Sequence, residues 1–102
     1  MIFVETPTFT RRVLRLLDDE SYGSLQTRLA AQPDAGDVIR GGGGLRKIRW
    51  AAKGHGKRGG VRVIYYWWIG RDRISMLFIY AKNEMDDLSA EQLKLLRQAL
   101  EF

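Results

Sequence analysis

The run VRVIYYWWIGRDRISMLFIYAK, residues 61–82, constrains the fold more than any other part of the chain. It holds two stretches rich in β-branched and aromatic residues, 61–69 and 73–82, joined through IGRD. So short a connection excludes a helical crossover and predicts neighbouring antiparallel strands. A third stretch, residues 45–51, alternates: Ile48 and Trp50 point to one face, Lys47 and Arg49 to the other. The intervening AKGHGKRGG offers little to pack and reads as the link from this strand to 61–69. MIFV at the start reads as a further short strand.

Helical periodicity occupies much of the rest. Phe9, Val13, Leu14 and Leu17 recur on one face of a helix that Thr8 is expected to cap, with Arg11, Arg12 and Arg15 outward. DDESYG interrupts it, and a second helix is expected from near Ser21, its stripe Tyr22, Leu25 and Leu29, until Pro33 breaks it. The glycines after Arg40 permit a sharp approach to the following strand. Near the end, Ser89 and Gln92 form a capping-box pattern, Leu88 can staple to Leu93, and Leu93, Leu96 and Leu100 line one face. The expected fold class is therefore α+β: a small, mainly antiparallel sheet with two N-terminal helices and a C-terminal helix, the helices on one side. At 102 residues, one domain spanning 1–102 is expected.

Composition narrows the chemistry. Lys plus Arg number 17 against 12 Asp plus Glu, and 45% of residues are hydrophobic, which describes a folded basic domain suited to a polyanionic partner. The absence of cysteine excludes disulfides, thiol catalysis and thiolate metal sites. His55 is the only histidine, which rules out a multi-histidine zinc site within one chain. Gly41 to Gly44 lack the Gly-Lys-Ser/Thr ending of a phosphate-binding Walker loop, and no metal or other cofactor is expected. Neither a signal peptide nor an apolar membrane span is found, so the expectation is a cytoplasmic chain without membrane association.

The charges are segregated. Arg40, Arg46, Lys47, Arg49, Lys53, Lys57, Arg58, Arg62 and Arg71 lie between Val38 and Arg71, and all 12 acidic residues lie outside that interval. Such a basic interval can focus a field on a phosphate backbone. Arg62 begins an otherwise apolar strand, where a guanidinium can be held rigidly enough to grip a phosphate. If the connection to 73–82 is antiparallel, Arg62 and Lys82 converge at one sheet end with Tyr80 close by, placed to stabilise developing phosphoryl charge. RNA carries its own nucleophile, the 2′-hydroxyl, so its cleavage needs no metal-activated water. For proton transfer the candidates are His55, Lys47, Lys53, Lys57 and Tyr80. His55, flanked by glycines, reads as a loop or substrate contact ahead of a catalytic group. Tyr65, Tyr66, Trp67 and Trp68 read mainly as packing residues, because adjacent strand residues face both sides.

GLRKIR, GKRGGVRVIYY and IYAKNEMDDLS, in that order and spacing, resemble the RelE/HigB toxin superfamily, especially its HigB-like branch, over nearly the full chain. That resemblance implies a compact microbial-RNase-like fold and ribosome-dependent cleavage of messenger RNA in the 30S decoding site, with arrest of translation. It also implies a cognate antitoxin carrying a helix-turn-helix domain, with DNA contacted only through that antitoxin. By the same resemblance Arg62 matches the phosphate-stabilising arginine, Lys82 a second basic catalytic contact, and Lys47 and Arg49 the basic strand facing RNA. Arg46, His55, Lys57 and Arg58 fall on the RNA-binding surface, with Lys53 beside them as a candidate for proton transfer. Some family members place a tyrosine after the last strand, where this chain reads AKNEMDDL; Tyr80 precedes that position. The alternatives are an inactive ribosome- or RNA-binding translation inhibitor and a DNA-binding regulator.

Overall fold

The computed structural model describes residues 1–51 and 60–100. In chain order these form β1 (Ile2–Glu5), α1 (Pro7–Leu16), α2 (Asp19–Ala31), β2 (Asp37–Val38), β3 (Arg46–Trp50), β4 (Val61–Trp68), β5 (Arg73–Ala81) and α3 (Ala90–Gln98). The strands make one sheet in the order β1-β5-β4-β3-β2. β1 runs parallel to β5, and every other pair is antiparallel. The expected hairpin of residues 61–82 is its centre.

Side chains alternate along β4 and fill two cores. Val61, Val63 and Tyr65 join Phe9, Val13, Leu25 and Leu29 on the face covered by α1 and α2. Ile64 joins Leu45, Leu77, Tyr80, Leu93 and Leu100 on the other face, beneath α3. The helices therefore cover both faces, not one. The apolar character of β4 and β5 on both sides is the physical reason, since a sheet buried on two faces needs a cover on each.

A bulge lets β5 serve both cores. Ile64 pairs with Phe78 but Tyr65 pairs with Met76, leaving Leu77 as an extra residue in β5. Strict alternation would place Ile79 on the face opposite Ile74 and Met76, yet all three lie in the first core. The irregular backbone is satisfied from outside the hairpin: Thr6 Oγ1 donates to the Leu77 carbonyl at 2.9 Å.

Thr6 is also the cap of α1, its Oγ1 accepting from Phe9 N at 3.1 Å. Pro7 thus stands in the first turn, where a missing N–H costs nothing. The expected cap, Thr8, lies inside the helix. α2 begins earlier than Ser21, because Asp18 accepts from Ser21 N at 2.7 Å and Asp19 and Glu20 favour the positive end of the helix. DDESYG therefore opens a helix; the break is confined to the extended caps Leu17 and Asp18. α3 carries the expected capping box, with Ser89 N donating to Gln92 Oε1 at 2.8 Å and Gln92 N to Ser89 Oγ at 3.1 Å.

Two further connections place the site. β2 had no sequence signal of its own; it is folded against β3 by residues 39–45, where Gly41, Gly43 and Gly44 all take positive φ. Tyr65 ties the chain entering β2 to the sheet, donating to the Pro33 carbonyl at 2.7 Å and accepting from Gly36 N at 2.8 Å. Among the described residues no helix is long and apolar enough to cross a membrane.

Candidate nucleic-acid interface

The antiparallel register assembles two rows of side chains on the α3 face of the sheet. Arg49 is opposite Arg62, and Arg62 is opposite Tyr80. Two residues along the strands, Asp37, Lys47, Ile64 and Phe78 form the second row. Residues in register point to the same face, so two local facts, alternation and hairpin pairing, bring Lys47, Arg49, Arg62 and Tyr80 together.

These rows adjoin an open cleft of about 670 Å³ whose lining includes Asp37, Arg40, Lys47, Arg49, Tyr80 and Asp87. Its floor and wall are apolar, from Ile64, Leu88 and Leu93. Arg49 and Arg40 are exposed, whereas Arg62 retains only 9% of its surface. Among the described residues the Arg62 guanidinium makes one hydrogen bond, from Nη1 to the adjacent Val61 carbonyl at 3.3 Å. A buried guanidinium so thinly compensated is costly to keep unless a further anion or acceptor joins it.

Tyr80 lies fully buried beside Arg62 and donates from its hydroxyl to the Asp86 carbonyl at 3.2 Å. Burial pushes its phenol above the ordinary tyrosine range, the Asp87 charge adds to this, and the Arg62 charge offsets part of it. The group is a phenol at neutral pH, a hydrogen-bond donor rather than a base.

Asp87 is the functional-site residue the sequence did not single out. It reaches from the β5–α3 connection to Lys47 Nζ at 2.9 Å. Its carboxyl is held below the usual range first by the Lys47 hydrogen bond and then by the Lys47 charge, with Arg49 and Arg62 contributing. The pair of acids before the Leu88-Ser89 cap was visible in the sequence; that one would cross to β3 depends on tertiary packing. A second unforeseen contact holds the same connection: Arg12 reaches from α1 to the Ile79 carbonyl at 2.6 Å and to the Glu84 carboxylate at 2.5 Å.

The other expected site residues fall as follows. Lys82 is exposed, one residue past β5, its backbone N donating to the Gly60 carbonyl at 3.1 Å. It therefore lies one row beyond Arg62 and Tyr80. Arg46 is on the opposite face of β3, paired in register with Tyr65, and donates to the Gly36 carbonyl at 2.9 Å. It does not join the Lys47 and Arg49 group. Lys53, His55, Lys57 and Arg58 lie outside the described residues. Among the described residues no three His, Cys, Asp or Glu side chains converge in a way that suits a metal ion.

The profile of the RelE toxin of the RelE/RelB toxin-antitoxin system matches residues 11–101. The chain belongs to the RelE toxin family. The RelE match takes in both rows, the cleft and all three helices except the start of α1. The mixed sheet flanked by N- and C-terminal helices is the RelE-like topology, within the wider RelE/HigB-type superfamily.

Proposed function

We propose that this RelE-family chain is the toxin of a type II toxin-antitoxin pair and an endoribonuclease that cuts messenger RNA in the ribosomal decoding site. The observation that carries the reading is Arg62: a buried guanidinium between Arg49 and Tyr80, at the side of an open cationic cleft, in a chain of this family. Rigid cations of this kind are suited to charge that develops on a phosphoryl group.

The reaction is an internal transfer. The 2′-oxygen forms a bond to phosphorus as the bond from phosphorus to the 5′-oxygen breaks, leaving a 2′,3′-cyclic phosphate and a 5′-hydroxyl. One proton leaves the 2′-hydroxyl and one arrives at the 5′-oxygen, so no water is consumed. Arg62 and Lys82 stabilise the non-bridging oxygens, and Arg49 holds the backbone. Tyr80 keeps Arg62 in place. Lys47 and Lys53 are the candidates for proton transfer; as the ammonium partner of Asp87, Lys47 can give a proton to the 5′-oxygen, and it can take one from the 2′-hydroxyl only after losing one of its own. Lys57, Arg58 and His55 extend the contact with RNA, whereas Arg46, turned to the other face of β3, does not. The ribosome orders the substrate, which a cleft this open does not do alone. The antitoxin, with a helix-turn-helix domain in the HigB-like branch, would supply the DNA contact and silence the toxin.

The test is mapping of mRNA 5′ ends in a purified translation reaction, with and without ribosomes. New ends in the decoding site, lost by ~10²-fold or more in Arg62→Ala, support the proposal. Undiminished cleavage by the double variant Arg62→Ala, Lys82→Ala sinks the assignments, and robust cutting of naked RNA sinks the ribosome dependence. The buried Tyr80, a neutral phenol engaged with the Asp86 carbonyl, and the engaged Lys47 favour one second reading, a ribosome-binding inhibitor that does not cut. Ribosome occupancy without new 5′ ends would establish it.

A further inference from the structure

β5 runs on past the end of β1: β1 pairs with Arg73 to Met76, whereas β5 continues to Ala81. From Leu77 onward its outer edge is closed by side chains in place of a strand. Thr6 Oγ1 donates to the Leu77 carbonyl at 2.9 Å, Arg12 Nε donates to the Ile79 carbonyl at 2.6 Å, and Glu84 Oε1 accepts from Ala81 N at 2.9 Å. Arg12 Nη2 then reaches Glu84 Oε1 at 2.5 Å, and its guanidinium lies over the Phe78 ring, 4.8 Å from the centroid.

We infer that Arg12 and Glu84 are positioning residues for the proposed cleavage, fixing the turn that aims Lys82 at the phosphate; this rests on the nuclease reading. Residues 81–84 form that turn, closed by Glu84 N donating to the Ala81 carbonyl at 3.0 Å, with Lys82 as its second residue. The Lys82 amide donates to the carbonyl of Gly60, two positions before Arg62, at 3.1 Å. The Lys82 side chain is exposed and makes no hydrogen bond or ion pair among the described residues. The direction of its ammonium is therefore set by the backbone of the turn. Glu84 holds the turn from within, and Arg12 holds Glu84 from α1, which Phe9 and Val13 anchor in the first core. Beyond Glu84 the same connection presents the Asp86 carbonyl to Tyr80 and the Asp87 carboxylate to Lys47.

The side-chain chemistry fits this task. A guanidinium can give Nε to a strand carbonyl, Nη2 to a carboxylate and a flat face to an aromatic ring at once, which an ammonium cannot. Cover of the β5 edge alone would be met by Arg12 on the Ile79 carbonyl; the link to Glu84 adds a hold on the turn. A part-exposed ion pair contributes little to stability. Its value lies in placement, because small displacements of a charged group from the reacting phosphate lower the rate steeply.

The experiment measures the rate of 5′-end formation on ribosomes carrying mRNA, across toxin concentrations, for wild type, Glu84→Ala and Glu84→Gln, and for Glu84→Ala in a Lys82→Ala background. Glu84→Ala is expected to lower the saturating rate about tenfold or more and to leave the half-saturating concentration within about twofold. Glu84→Gln keeps an acceptor for Ala81 N and Arg12 and should restore the rate. With Lys82 already replaced there is no ammonium left to aim, so Glu84→Ala should cost nothing further. An undiminished rate, a loss confined to half-saturation, no recovery in Glu84→Gln, or an equal loss in both backgrounds would each overturn the inference. Glu84 is exposed beyond the end of β5, so these variants are expected to fold. Hydrogen exchange at the Lys82 amide reads the clamp without any cleavage: Glu84→Ala should speed it about tenfold or more, with the paired amides of β4 still protected. Unchanged exchange at Lys82 would overturn the inference as well. The two ideas fail separately. Wild type that does not cut defeats the nuclease, and the exchange then decides whether the clamp fixes the turn; wild type that cuts, with equal losses in both backgrounds, keeps the nuclease and defeats the positioning.

Discussion

Tyr65 spends its one hydroxyl twice, donating to the Pro33 carbonyl and accepting from the Gly36 amide, and so fixes the chain that delivers β2 to the cleft. Tyr65→Phe keeps the ring but orphans a buried amide, and should cost about 1 to 3 kcal/mol, read as a lower urea midpoint with an unchanged m-value. Acid should expose a second set of residues. The Glu84 carboxyl is depressed by the Arg12 hydrogen bond and by the Ala81 amide, and the Asp87 carboxyl by Lys47. A depressed folded-state value means stability that is complete above the unfolded carboxylate range, roughly pH 4 to 5, and lost as pH falls through the lower folded value. Stability measured by urea unfolding between neutral pH and pH 3 should therefore fall less steeply in Glu84→Gln than in wild type; an identical slope would mean the Arg12 contact is not made in solution. None of these pairings was legible in the sequence. Arg12 and Glu84 are 72 positions apart, and nothing local links them.

At the scale of elements, legibility follows the range of the interaction. The hairpin of β4 and β5, the alternation in β3 and the capping box of α3 rest on neighbours a few residues apart, and all were readable. The cap of α1 was within reach too: Pro7 fits the first turn, which makes Thr6 the cap and leaves Thr8 inside. Thr6→Ala should destabilise by about 1 to 2 kcal/mol, since it also abandons the Leu77 carbonyl. Thr8→Ala, which loses only an exposed contact with Arg11, should stay within about 0.5 kcal/mol of wild type. Thermal melts of the two variants side by side check the assignment, and the reverse order would contradict it. The two-sided cover of the sheet was within reach of the near-continuous apolar run of β4, but the bulge was not, because no pattern in RISMLFIYA marks where the alternation slips.

For the whole molecule the charge segregation was legible and its geometry only in part. Lys47 and Arg49 share a face with Arg62, but Arg46 is turned to the other side and bonded there. If the cleft face meets RNA, ribosome association should weaken as salt rises. Arg49→Ala should reduce the slope of log affinity against log salt by roughly 0.7 to 1, while Arg46→Ala, tested in filter binding across the same salts, should leave that slope unchanged. The Leu77 bulge has one more consequence. It works as a half-period phase shift in β5: the residues before it and after it follow opposite parities, and only the extra position reconciles them. Substitution at 77 changes what fills a core, whereas deletion of 77 would invert one side of the strand relative to the other, sending either Ile74 and Met76 or Ile79 and Tyr80 to the wrong face. The strand is thus intolerant of a change in length at a point where it can tolerate a change in identity.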